Sequence, residues 1–203
     1  MDRVVTAGPA RSPRRAREIA RTRQDILEAA ARVFSRAGYH AATMQAIARE
    51  AGFTAASLYT YFESKEAIYE GLLADVKGRL LATFDTPAPA GLTFPQRLEL
   101  MLQRQFQLVA ERIDALRVIF DQGPPREGQH PPEDVLARAE TFFAKAGRGD
   151  LRLPPAEAAL VLYGLAHAYV ARWFLGEQEP DPSRLAARVV DVFLHGGGKP
   201  GPR

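Results

Sequence analysis

The tightest constraint on the fold lies between Gly38 and Ser64, where helix stops and helix starts alternate at short intervals. Gly38 is followed by Thr43, Gly52 by Thr54, and Ser64 closes the series. Glycine readily takes the left-handed conformation past a helix end, and a threonine or serine oxygen caps the free N–H groups at a helix start. These signals leave room for two short helices and a tight turn. The apolar positions agree: Met44, Ile47, Ala48 and Ala51 share one face of the first, Leu58 and Phe62 share one face of the second, and Phe53 fills the turn. Two short helices joined in this way make a helix-turn-helix.

The flanking sequence is helical too. From Thr22 the apolar residues fall at Ile26, Leu27, Ala30, Val33, Phe34 and Ala37, a one-sided helix with Glu28 and Arg32 paired at i, i+4 on its outer face. Ser64 caps a longer helix carrying Ile68, Leu72, Val76 and Leu80, which Thr86 to Gly91 breaks. Further helical patterns run at roughly 94–112, 114–121, 135–146, 155–175 and 182–193, with a Pro/Gly-rich loop from Gly123 to Pro132. No period-two alternation competes with them. The expected fold is all-α with about nine helices: a flexible basic arm over 1–20, a three-helix helix-turn-helix head over 21–65, a helical body over 66–195 and a disordered tail over 196–203.

Composition narrows the chemistry. The chain has 203 residues, enough for a sizeable core, and no cysteine, which removes disulfides, thiolate metal sites and thiol nucleophiles. The four histidines His40, His130, His167 and His195 lack metal-site spacing, and there is neither a phosphate-binding Gly-rich loop nor a G-x-S-x-G elbow. Enzyme chemistry, a metal and a cofactor are therefore not expected. The longest charge-free apolar run, Ala158 to Ala171, is shorter than the roughly 20 residues a membrane helix needs. Arginines also stand where a signal peptide would place its apolar segment, so a cytoplasmic location without membrane contact is expected.

The net charge of +3 is unevenly placed. Residues 1–65 hold 11 Lys+Arg against 6 Asp+Glu, a net of +5, and the remainder holds 16 against 18, a net of −2. Within the first part, Arg11, Arg14, Arg15, Arg17, Arg21 and Arg23 are opposed only by Glu18. Such a segment is either a solvated tail or an arm attracted to a polyanion.

The segment Thr43 to Leu73, TMQAIAREAGFTAASLYTYFESKEAIYEGLL, resembles the DNA-binding signature of the TetR family of transcriptional regulators. It carries a Thr opening the second helix, an I-A-x-x-A-G-F turn, an S/T-x-x-S/T-L-Y-x-Y-F string and S-K-E at the next helix start. The resemblance implies a homodimeric two-domain repressor. The third helix of each subunit would enter the major groove of a near-palindromic double-stranded operator, and a small-molecule effector held by the C-terminal helices would move the heads.

Helix-turn-helix readout places the start of the second motif helix against base edges, which selects Thr54, Ala55 and Ala56, with Thr60 one turn on. Two alanines offer methyl contact but no bidentate hydrogen bonds, so specificity is expected to lean on DNA shape and on Arg21 and Arg23. Thr43, Ser57, Tyr59 and Lys65 match family positions that touch phosphate. Thr43 and Lys65 stand at helix N-termini, and Ser57 and Tyr59 bring hydroxyl donors. The other reading of Tyr59 is a half-buried core tyrosine, and Tyr61 is expected to be core.

In the body, Leu160, Gly164, Ala168 and Ala171 form a small-residue stripe suited to a dimer interface, which Leu185, Val189 and Phe193 would complete as a four-helix bundle. The alternative is packing within one chain. A second stripe, Tyr163, His167, Val170 and Phe174, together with Phe106, Phe120, Phe142 and Phe143, can line an apolar effector cavity or be ordinary core aromatics. Two other functions stay open: a DNA-binding architectural factor of the same fold without an effector, and an apolar-ligand carrier or enzyme with an incidental helix-turn-helix.

Overall fold

The computed structural model describes residues 13–119, 133–147, 149–176 and 181–196. Among them the regular structure is entirely helical: α1 (Pro13–Ala37), α2 (Met44–Glu50), α3 (Ala55–Tyr59), α4 (Lys65–Asp85), α5 (Phe94–Glu111), α6 (Ile113–Arg117), α7 (Glu133–Ala146), α8 (Pro155–Leu175) and α9 (Pro182–His195). The Pro/Gly loop, Phe120 and the tail beyond Gly196 lie outside the described residues.

The short helices begin and end where their caps dictate. The Thr43, Thr54 and Ser64 hydroxyl oxygens accept from the N–H groups of Ala46, Ser57 and Ala67 at 3.1–3.2 Å. At the end of α2, Gly52 has φ +76°, its N–H donates to the Arg49 carbonyl, and the Phe53 N–H donates to the Ala48 carbonyl. This pair of hydrogen bonds satisfies two free carbonyls and turns the chain sharply into α3.

The start of the first helix differs from the sequence expectation. The first helix starts at Pro13, so 13–20 form a solvated helical extension rather than a flexible arm. Proline suits a first helical position, Arg14 pairs with Glu18 at 3.1 Å, and arginine favours helix; none of this shows in an apolar pattern. The expected break between the helices at 94–112 and 114–121 is found at Arg112, with neither Gly nor Pro to mark it. There the Arg112 guanidinium reaches back to Glu28 on α1 at 2.7 Å.

The side chains pack into two cores. The first joins Ile26, Ala30 and Phe34 of α1 with Ile47, Leu58 and Phe62, and is closed by Ile68, Tyr69 and Leu72 of α4 and Ala115, Leu116 and Val118 around α6. The expected boundary after residue 65 therefore runs through a single core. The second core joins Phe94, Leu98, Leu102 and Phe106 of α5 with Phe143, Ala158, Leu162, Ala186 and Val189. Helix α4 runs from one core toward the other.

Candidate nucleic-acid interface and apolar cavity

In the head, α3 turns Leu58 fully inward and leaves Thr54, Ala56, Tyr59 and Thr60 exposed, with Ala55 and Ser57 half-buried. Tyr59 is 52% exposed, which decides against a core role, whereas Tyr61 packs edge-on against Phe53. The hydroxyls are locally fixed: Thr54 and Ser57 oxygens lie 2.9 Å apart, and Thr60 donates to the Ser57 carbonyl at 2.7 Å. The face carries small groups on a rigid turn, suited to close approach. Beside it, Arg14, Arg15, Arg17 and Arg21 stand exposed on the solvated start of α1.

Two cations expected at DNA are engaged inside the head. Lys65 Nζ donates to the main-chain oxygens of Tyr39 (2.8 Å), His40 (3.2 Å) and Ala42 (3.2 Å), and lies 4.6 Å from the centre of the Tyr39 ring. All three ammonium donors are thus used in holding the loop between α1 and α2. The Arg23 guanidinium lies 4.0 Å over the Phe62 ring and donates to the Tyr61 carbonyl, tying α1 to the turn after α3. The family resemblance placed Lys65, and the basic N-terminal run placed Arg23, near the interface, but neither could show that the fold uses their charge.

In the body, a cavity of about 550 Å³ opens between α4, α5, α6, α7 and α8. Its wall is mostly aliphatic: Leu73, Leu80, Met101, Leu102, Val109, Leu116, Ile119, Val135, Leu136 and Leu162, with Phe84 and Phe106. Glu70, Lys77, Gln105, Tyr163 and His167 bring the polar groups. The Tyr163 ring stacks on His167 at 5.9 Å, and burial pushes the Tyr163 hydroxyl above its ordinary pKa. Gln105 donates to the Thr83 hydroxyl at 3.2 Å.

Of the expected ligand residues, Phe106, Tyr163, His167 and Val170 line this cavity. Phe142, Phe143 and Phe174 do not. Phe142 and Phe143 lie one to two turns beyond the cavity face of α7, against Phe94, and Phe143 also stacks on Phe193 at 5.6 Å. Phe174 packs on core residues past the last lining position of α8. Aromatic residues do not mark the aliphatic wall that α4 contributes. Leu73, off the Ile68, Leu72, Val76 and Leu80 row of α4, was the available signal, since a second apolar face on one helix needs a second environment.

The small-residue stripe of α8 faces outward: Gly164, Ala168 and Ala171 are exposed, Leu160 is 54% exposed and its neighbour Val161 49%. A side chain added at Gly164 would meet nothing within 4 Å. The expected α9 half of that interface is corrected. Val189 is fully buried, and Leu185 and Phe193 pack on the second core. α9 has one apolar stripe, which meets α5, so Arg184, Ala187, Arg188 and Asp191 face outward instead.

Among the described residues no helix is long and apolar enough to cross a membrane. The family described as bacterial regulatory proteins, tetR family, matches over residues 26–72, from α1 into α4. The HTH-type transcriptional regulator YdgC of Bacillus subtilis is 31% identical over 86% of this chain and 92% of its own length. The fatty acid metabolism regulator protein of Bacillus subtilis is 29% identical over 84% and 93%. The fold is shared with a crystal structure of the transcriptional regulator FadR from Bacillus subtilis in complex with stearoyl-CoA, at TM-score 0.65 and 20% identity, covering 85% of this chain and 98% of that one. A DNA-binding head on a helical body, with that relationship over nearly the full length of YdgC, means that the chain belongs to the TetR family of transcriptional regulators and is a regulator, not an enzyme.

Proposed function

We propose that the protein is a homodimeric repressor released from its operator by a long-chain apolar effector. The observation that carries this reading is the aliphatic cavity, whose wall includes α4 and α6, the same helices that close the head core. A ligand that spreads this wall acts on the head through packed side chains. The volume falls in the range of small-molecule sites, about 300–1,000 Å³. The match to a fatty acid metabolism regulator, and the stearoyl-CoA bound by the Bacillus subtilis FadR, support a fatty acyl chain as the occupant.

On DNA, Thr54, Ala55, Ala56 and Thr60 meet base edges, and Thr43, Ser57 and Tyr59 meet phosphates. Arg21 and the preceding arginines of α1 track the backbone. Lys65 and Arg23 act as positioning residues, because their donors serve the head itself. Leu160, Val161, Gly164, Ala168 and Ala171 of α8, with the outer face of α9, meet a second copy.

Selection of binding sites from random duplexes, followed by anisotropy titration, tests the reading. A near-palindromic consensus with half-sites about one helical turn or a multiple apart is expected. Arg21→Ala should lower the slope of log K against log salt by about 1, and an acyl ligand should weaken binding. A single unpaired half-site, or a complex indifferent to acyl ligands, contradicts it.

A further inference from the structure

Among the described residues lining the cavity, Lys77 is the one lysine or arginine. Lys77 lines the cavity from α4, where a long cationic side chain can lay its apolar stem on the wall and keep its ammonium in water. There Nζ lies 2.9 Å from Oδ2 of Asp134 at the start of α7, and both side chains remain about half exposed, at 51% and 45%. A pair so open to water is screened and adds little to stability, so an exchange of partners at Lys77 leaves the fold intact. A second tie between the same helices, the Arg138 guanidinium on both Asp85 oxygens, persists through such an exchange. The one carboxylate of the lining, Glu70, stands two turns toward the head on the same face of α4, about 10 Å away by helix rise. An anionic group is disfavoured at that end and favoured at Lys77.

We propose that Lys77 is the anion subsite of the cavity: its ammonium exchanges Asp134 for the carboxylate or phosphate of a long-chain amphiphile whose tail fills the aliphatic wall. This rests on the cavity being an effector site, and it adds that the effector is an anionic amphiphile, selected against neutral chains. Asp134 then plays a stand-in part, keeping the ammonium paired and aimed at the rim while the site is empty of ligand.

The test is equilibrium dialysis of the full chain, below micellar concentrations, against palmitate, palmitoyl-CoA and the neutral hexadecanol. Lys77→Met keeps the apolar stem and should weaken the anion about tenfold or more, the order expected for a charged hydrogen bond, with hexadecanol unchanged. Asp134→Asn removes the competitor and should tighten the anion while leaving hexadecanol unchanged. A loss on palmitate alone assigns the carboxylate to Lys77, and a loss on palmitoyl-CoA alone assigns a phosphate. Equal losses for charged and neutral chains, or none for either, together with no gain in Asp134→Asn, overturn the subsite and leave the apolar cavity reading standing. If none of the three ligands binds the unaltered protein, both readings fall.

Discussion

The two halves of α4 have the same composition in kind and opposite surroundings. From Ile68 to Leu72 the inward face of the helix is sealed into the head core, with Ile68, Tyr69 and Leu72 at most 3% exposed, and only Glu70 turns to the cavity. From Leu73 to Phe84 it walls a cavity, with Leu73, Leu80 and Phe84 only partly buried. Val76 belongs to both. A filled core fixes the geometry that a recognition helix needs, and an unfilled one leaves room for a ligand. One continuous helix therefore joins a part that must not move internally to a part whose packing is incomplete.

The comparison breaks first at the most buried position. Ile68→Ala should cost about 2–5 kcal/mol in urea unfolding, because the surrounding core cannot collapse onto the gap. Leu80→Ala, on the cavity side, should cost roughly 1 kcal/mol, since that side chain gains only part of its transfer energy. Equal costs would mean that the cavity is closed in solution. At the head surface, Thr54→Ala should lose about 1 kcal/mol with the cap of α3, and operator affinity should fall along with stability.

The joint between head and body gives a smaller, pH-dependent effect. Burial works against ionisation of Glu28, but hydrogen bonds from Arg112 and Gln24 and the charge of Arg112 outweigh it and hold the carboxyl below its ordinary value of 4.5. A depressed carboxylate pKa adds stability that is complete above the unfolded value and is lost as pH falls through the folded one. Stability measured from pH 6 downward should therefore show an acid-sensitive component below about 4.5 that shrinks in Arg112→Met. An unaltered profile in that variant would remove the Glu28–Arg112 pair from the joint.

The head was legible because its instructions are local. Thr43, Thr54 and Ser64 cap helices wherever the rest of the chain goes, and Gly52 can turn the chain whatever packs on it. What escaped was the start of α1, where a solvated arginine helix has no apolar pattern to find, and the private use of Lys65 and Arg23, which depends on carbonyls remote in sequence. In the body the helices were legible and their neighbours were not. Periodicity shows that Phe142 and Phe143 lie beyond Val135 and Ala139 on α7, or that Leu185, Val189 and Phe193 share a stripe. It does not tell which helix meets that stripe. α5 took the stripe of α9, and the cavity opened on the aliphatic turn of α7.

Ala166 lines the cavity from α8 without lying in the head core, so Ala166→Phe occupies the space and leaves the recognition face untouched. The most direct test of the account is operator affinity, measured by anisotropy with and without palmitoyl-CoA, in the unaltered protein and in Ala166→Phe. The account predicts that both bind the operator and that the ligand weakens only the unaltered protein. Equal weakening of both, or a ligand that binds the protein without changing its hold on DNA, would contradict it.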